Sequence, residues 1–145
     1  MSFTEFTVPG IPRPGGSKKG FPIRRKDGSF VKIGIADMSK DVMSWRGAVV
    51  DACRKVFLGP PTIQALSLKI NFFMPYRKGD FGKDGQIKKS APHWHDKRPD
   101  TCKLIRSTED ALTGVLWQDD SQVVSIIATK EFGLTPGAHI WVELV

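Results

Sequence analysis

Residues 65–74, ALSLKINFFM, constrain the fold more than any other stretch. Leu66, Leu68, Ile70, Phe72 and Met74 fall on alternate positions, so they share one face of an extended strand. A strand with five large apolar side chains on one face must be covered by another layer, and its length makes it central in a sheet. Residues 76–99 then run as a polar, basic segment without periodicity. Loops that long inside a compact domain are usually functional or disordered.

On either side of this pair the chain alternates short strands and two helices. Residues 3–8 read as a strand, and residues 9–22, PGIPRPGGSKKGFP, as a flexible basic loop broken by proline and glycine. Residues 29–35 read as a second short strand, entered through a turn at Asp27 and Gly28. Asp37 or Ser39 can cap a helix that carries Val42, Trp45, Val49, Cys53 and Val56 at helical spacing, and Gly59, Pro60 and Pro61 stop it. A second helix spans residues 101–113 and ends at Gly114. Its core side is Leu104, Ile105, Thr108, Ala111 and Leu112, and its opposite stripe is Cys102, Arg106, Glu109 and Thr113. Strands over residues 123–132 and 138–145 follow, joined by a turn at Pro136 and Gly137. The pattern predicts one α+β domain over residues 1–145, with two main helices packed on a mixed, mostly antiparallel sheet.

Charge narrows the partners. The chain carries 22 Lys and Arg against 15 Asp and Glu, a net charge of +7. The positive residues concentrate in residues 17–28, 76–89 and 95–100. Lys18, Lys19, Arg24, Arg25, Lys97 and Arg98 suit a polyanion, because neutralising phosphates releases condensed counterions. Lysine-rich loops also serve solubility alone. Tyr76, Phe81 and Trp94 lie among the basic residues, where they can stack on unpaired bases or pack the loop onto the domain. No stretch approaches a membrane span, the N-terminus lacks a signal architecture, and Cys53 and Cys102 have no redox or metal spacing. A cytoplasmic protein with reduced thiols and no membrane partner is expected.

Acidic residues punctuate the region around the second helix: Asp100 before it, Glu109 and Asp110 within it, Asp119 and Asp120 after it. About four helical turns separate the outer ones, so a return along the neighbouring strand is needed to bring Asp120 beside Asp100. Two carboxylates so placed suit Mg²⁺, which prefers oxygen ligands and can activate water against a phosphodiester. Arg106, one turn into the helix, would then reach the scissile phosphate. Each residue also has a plainer use: Asp100 as an N-cap, Arg106 as a surface partner of Glu109 or Asp110, Asp119 and Asp120 as a turn. His93, His95, Asp100 and Cys102 offer zinc donors, at a spacing that matches no common closed site.

Three segments together resemble the RusA-like Holliday-junction resolvases, small endodeoxyribonucleases of phages and prophages. They are RPDTCKLIR (residues 98–106), DALTG (110–114) and DDSQV (119–123), and Lys130 in ATKEF fits as well. GIPRPGGSKK and SKDVMSWRGAV extend the likeness towards the N-terminus. The resemblance implies a homodimer that binds branched DNA and nicks opposed strands with Mg²⁺, or with Mn²⁺. It implies Asp100 and Asp120 as metal-binding aspartates, Asp119 as an accompanying acid, and Arg106 as the catalytic basic residue that is usually lysine or arginine. Lys103 and Lys130 join the DNA-binding set. Cys102 stands where the family has a second aspartate, and a soft thiol is a poor ligand for Mg²⁺. Slower cleavage, a changed metal preference, or a non-catalytic junction-binding or single-strand-binding protein on the same fold would each follow from that change.

Overall fold

The computed structural model describes residues 2–15, 19–27, 30–36 and 40–145, and for residues 2, 19–24 and 30–36 it describes the backbone only. Among the described residues six strands and two α-helices are arranged as β1 (Ser2–Pro9), β2 (Lys19–Arg24), β3 (Phe30–Ala36), α1 (Lys40–Arg54), β4 (Leu66–Pro75), α2 (Thr101–Leu112), β5 (Val123–Gly133) and β6 (Gly137–Leu144). The main sheet has the order β1-β6-β4-β5. Its β1–β6 and β6–β4 pairs are antiparallel, and β4–β5 is parallel. The α+β architecture with a mixed sheet is as the sequence predicts.

The period-two strand organises the rest. Leu66, Leu68, Ile70, Phe72 and Met74 are all buried, on the face that α1 and α2 cover. At roughly 1.5–3 kcal/mol for each large side chain removed from water, this one strand supplies a large part of the driving force. Trp45, Val49 and Cys53 of α1 share its core cluster and Val42 is buried too, while Val56 lies beyond the helix end and is exposed. From α2 come Leu104, Ser107, Thr108, Ala111 and Leu112. The indole Nε1 of Trp45 donates to Thr108 Oγ1 (3.3 Å), and that hydroxyl donates to Leu104 O (2.9 Å), so the helix contact leaves no buried hydroxyl unpaired. Gly114 ends the second helix with φ +87°, a left-handed conformation that glycine adopts without strain.

Two segments differ from expectation. Lys19–Arg24, which overlaps the end of the predicted loop, is strand β2, paired antiparallel with β3 as a separate two-stranded sheet. Pro22 is tolerated there because both strands of such a ribbon are edges. Residues 10–15, predicted flexible, lie against α2. Pro12 and Gly15 are buried, and Gly15 N–H donates to Lys103 O (2.8 Å). Asp37, Ser39, Gly28 and Lys18 lie outside the described residues, so the predicted cap and half of the predicted turn do too.

Between β4 and α2, residues 76–99 are ordered by a few contacts. The Asp80 carboxylate accepts two bonds from the Arg77 guanidinium (both 3.2 Å) and one from Arg77 N–H (3.0 Å), which holds Asp80 below the usual carboxylate range. Tyr76 stacks on Phe132 with ring centroids 5.2 Å apart. The loop then runs along the end of β5, where Phe132 N–H donates to His93 O (2.9 Å) and His95 N–H to Lys130 O (3.2 Å).

Candidate functional site

The path of the chain separates the predicted carboxylates. Asp100 occupies the N-cap position of α2, with no side-chain capping bond. The helix runs down the sheet, the chain turns, and β5 runs back up. Asp119 and Asp120 therefore stand at the start of β5, and Asp100 stands beside Lys130 near its end. Twelve helical residues and the eight strand residues from Val123 to Lys130 both give a separation of roughly 20 Å. Asp100 and Asp120 of one chain do not meet, because the connection returns along β5 only after Asp120 has been passed.

Lys130 fixes the upper end. Its ammonium donates to Lys97 O (2.5 Å) and Pro99 O (2.6 Å), pinning the segment that carries Asp100. Burial lowers the Lys130 pKa, while Asp100 and Asp96 pull it back up. Lys103 lies 3.9 Å from Asp100, an exposed pair of little energetic weight. Lys97 and Arg98 are exposed nearby. His95 rests on Phe132 (4.8 Å between centroids), and its pKa is lowered, first by burial and then by Lys130.

The lower end is held by Gln122. Its amide oxygen accepts from the backbone N–H of Gln118 (2.9 Å) and Asp119 (2.8 Å), and its amide nitrogen donates to Thr62 O and Gln64 O (both 2.9 Å). The Asp119 carboxylate accepts from Ser121 N–H (2.8 Å), which depresses its pKa and gives it a turn-capping task. Asp120 is exposed beside it. Glu109, half-buried on the last turns of α2, has a raised pKa, first from burial and then from Asp120 and Asp110. That coupling sets Glu109 with Asp120 and away from Asp100.

Cys102 and Arg106 are both exposed on α2. Asp110 pairs with Arg46 of α1 (3.5 Å), so that acid serves the helix contact. Among the described residues no group of three or more His, Cys, Asp and Glu side chains converges on one metal position. The zinc arrangement is therefore not formed: His93 pairs with Glu131 (3.3 Å) and His95 turns onto Phe132. Of the predicted DNA contacts, Arg25 is exposed in the turn after β2, the side chains of Lys19 and Arg24 are not described, and Lys18 is outside the described residues. Trp94 is 57 % exposed, whereas Tyr76 is held by Phe132. Residue-by-residue reading missed Gln122, whose role needs the fold to bring residues 62–64 alongside. It also missed Arg13, although the prolines at 12 and 14 signal a stiff arm.

A family model described as Endodeoxyribonuclease RusA matches residues 21–143. No curated protein matches the chain.

Proposed function

The chain belongs to the RusA family of endodeoxyribonucleases, and from that premise we propose that it nicks opposed strands of four-way DNA junctions as a homodimer, with Mg²⁺ held between the two copies. The observation that carries this reading is the placement of Asp100 and Asp120 at opposite ends of β5. One chain does not offer a divalent cation both carboxylates. Two chains related by a two-fold axis across antiparallel β5 strands would offer them twice.

Strand β5 suits that role. It is the edge of the main sheet, and among the described residues loop bonds cover it only from Lys130 onward, so its first seven residues leave a ladder edge free of them. Val124 and Ile127 are each 62 % exposed along it. Pairing centred near Ile126 would set the acidic start of each β5 against the partner's basic end, so charge favours the antiparallel arrangement. Each of the two sites would then combine Asp100 from one copy with Asp120 and Glu109 from the other.

Oxygen donors of this kind fit a hard cation, and the Cys102 thiol does not. When bound, Mg²⁺ supplies Lewis-acid activation of water and stabilises charge on the phosphodiester. The chain's own residues do the rest. Lys130 positions Asp100, Gln122 positions Asp120, and Arg106 contacts the phosphate under attack. Arg25, Lys97, Arg98 and Lys103 add sequence-independent phosphate contacts that set orientation. Cys102 favours a second reading, binding without cleavage.

A labelled four-way junction, with linear duplex as control, tests both readings in Mg²⁺ and in Mn²⁺. Paired symmetric nicks are expected. Tight junction binding without nicks in either metal would replace the nuclease with the binding-only protein.

A further inference from the structure

We propose that the cleft between residues 11–14 and the start of α2 seats one nucleotide of the DNA strand being cut, with Arg13 as a phosphate-binding residue. This rests on the nuclease reading above and adds to it a residue and a subsite. The cleft holds about 520 Å³, within the range of small-ligand sites. Ile11, Met74 and Pro99 give it apolar walls that suit a sugar or base face, and Arg13, Arg98 and Lys103 line it with positive charge. Asp100 lies on the same wall. A strand seated here therefore presents its backbone to the carboxylate that the nuclease reading assigns to the metal.

Arg13 is delivered rigidly. Pro12 and Pro14 flank it and fix φ on both sides. Ser107, fully buried on α2, donates its hydroxyl to Arg13 O (2.6 Å), and Gly15 N–H donates to Lys103 O (2.8 Å). A Cβ on Gly15 would stand 2.8 Å from Ser107 N, so the arm lies as close to the helix as backbone allows. Among the described residues, the cleft's three cations have one acidic neighbour at ion-pair distance, Asp100 at 3.9 Å from Lys103. The cleft thus presents a surplus of positive charge on a stiff frame, which suits an anionic backbone better than a neutral ligand.

The test uses the full-length protein and a 5′-phosphorylated thymidine tetranucleotide, followed by amide chemical shifts without metal. Shifts concentrated in residues 11–15 and 98–104 are expected. The Arg13→Ala variant should bind the tetranucleotide and the junction about tenfold more weakly. Its slope of log affinity against log salt should be smaller by about one, and Arg13→Lys should restore most of the slope. An unchanged melting temperature would separate this from misfolding, and Lys69→Ala on the far sheet face is the control. Shifts confined to residues 76–89, or a wild-type salt slope in Arg13→Ala, would overturn the proposal. The nuclease reading fails separately: wild-type protein that neither binds nor nicks junctions would refute it whatever the tetranucleotide shows.

Discussion

At the start of β5 the chain gathers Glu109, Asp119 and Asp120, and near its end it gathers Lys97, Arg98, Lys103 and Lys130 around Asp100, with Asp96 close to Lys130. Both ends are built to hold an acid in place, yet by opposite means. At the lower end Asp119 is fixed by neutral groups, the Gln122 amide and the Ser121 N–H, and Glu109 is repelled by Asp120. The upper acid is fixed by a partly buried ammonium that ties down the backbone before it. Mutual repulsion makes the lower end ready for a cation, and the cationic surround makes the upper end ready for phosphate. A nuclease needs both at one point, and antiparallel pairing of two copies of β5 would supply it.

Breaking the upper end should have the largest effect. Lys130→Met removes two charge-assisted bonds and should cost about 2 kcal/mol in urea unfolding. Because Asp100 is then free to shift by an ångström or so, junction nicking should fall on the order of 100-fold. Next comes the lower end: Gln122→Ala frees the turn before β5 and should lower nicking about tenfold while junction affinity changes little. A loss of affinity as large as the loss of rate would show that the turn binds DNA instead. Cys102→Asp restores an oxygen donor and should raise nicking in Mg²⁺ more than in Mn²⁺, read from rates at matched metal concentrations.

The smallest effect concerns Glu109. Its folded pKa lies above the ordinary carboxylate value, so its contribution to stability is present at low pH and lost as pH rises through the raised pKa. Glu109→Gln should therefore raise the melting temperature at pH 7, and the gap should close below the ordinary carboxylate range. A gap independent of pH would deny the raised pKa that burial and, less strongly, Asp120 impose.

Much of this was legible before the fold was known. The alternation in residues 66–74 marks the central strand without ambiguity, because period two with five large apolar side chains has few other solutions. The helical stripe of α2 was equally clear, apart from Ser107, whose buried hydroxyl serves the carbonyls of Arg13 and Leu104. Strand β2 was hidden by Pro22 and the surrounding glycines, which mark a loop unless the strand is an edge. For the site, the motifs named Asp100 and Asp120, but nothing local tells on which side of the sheet the chain returns. Their separation is a property of the parallel β4–β5 pairing, and that long-range contact carries no signature in sequence.

Mixing two inactive variants tests the shared site most directly. Asp100→Asn and Asp120→Asn chains should each fail to nick junctions alone. After mixing and subunit exchange, half of the dimers carry one chain of each kind, and in each of these one of the two sites regains both aspartates. The account predicts recovery to about a quarter of wild-type nicking, as single nicks without paired resolution. No recovery, with mixed dimers present by mass, would mean that each site draws its carboxylates from one chain, and the account would be wrong.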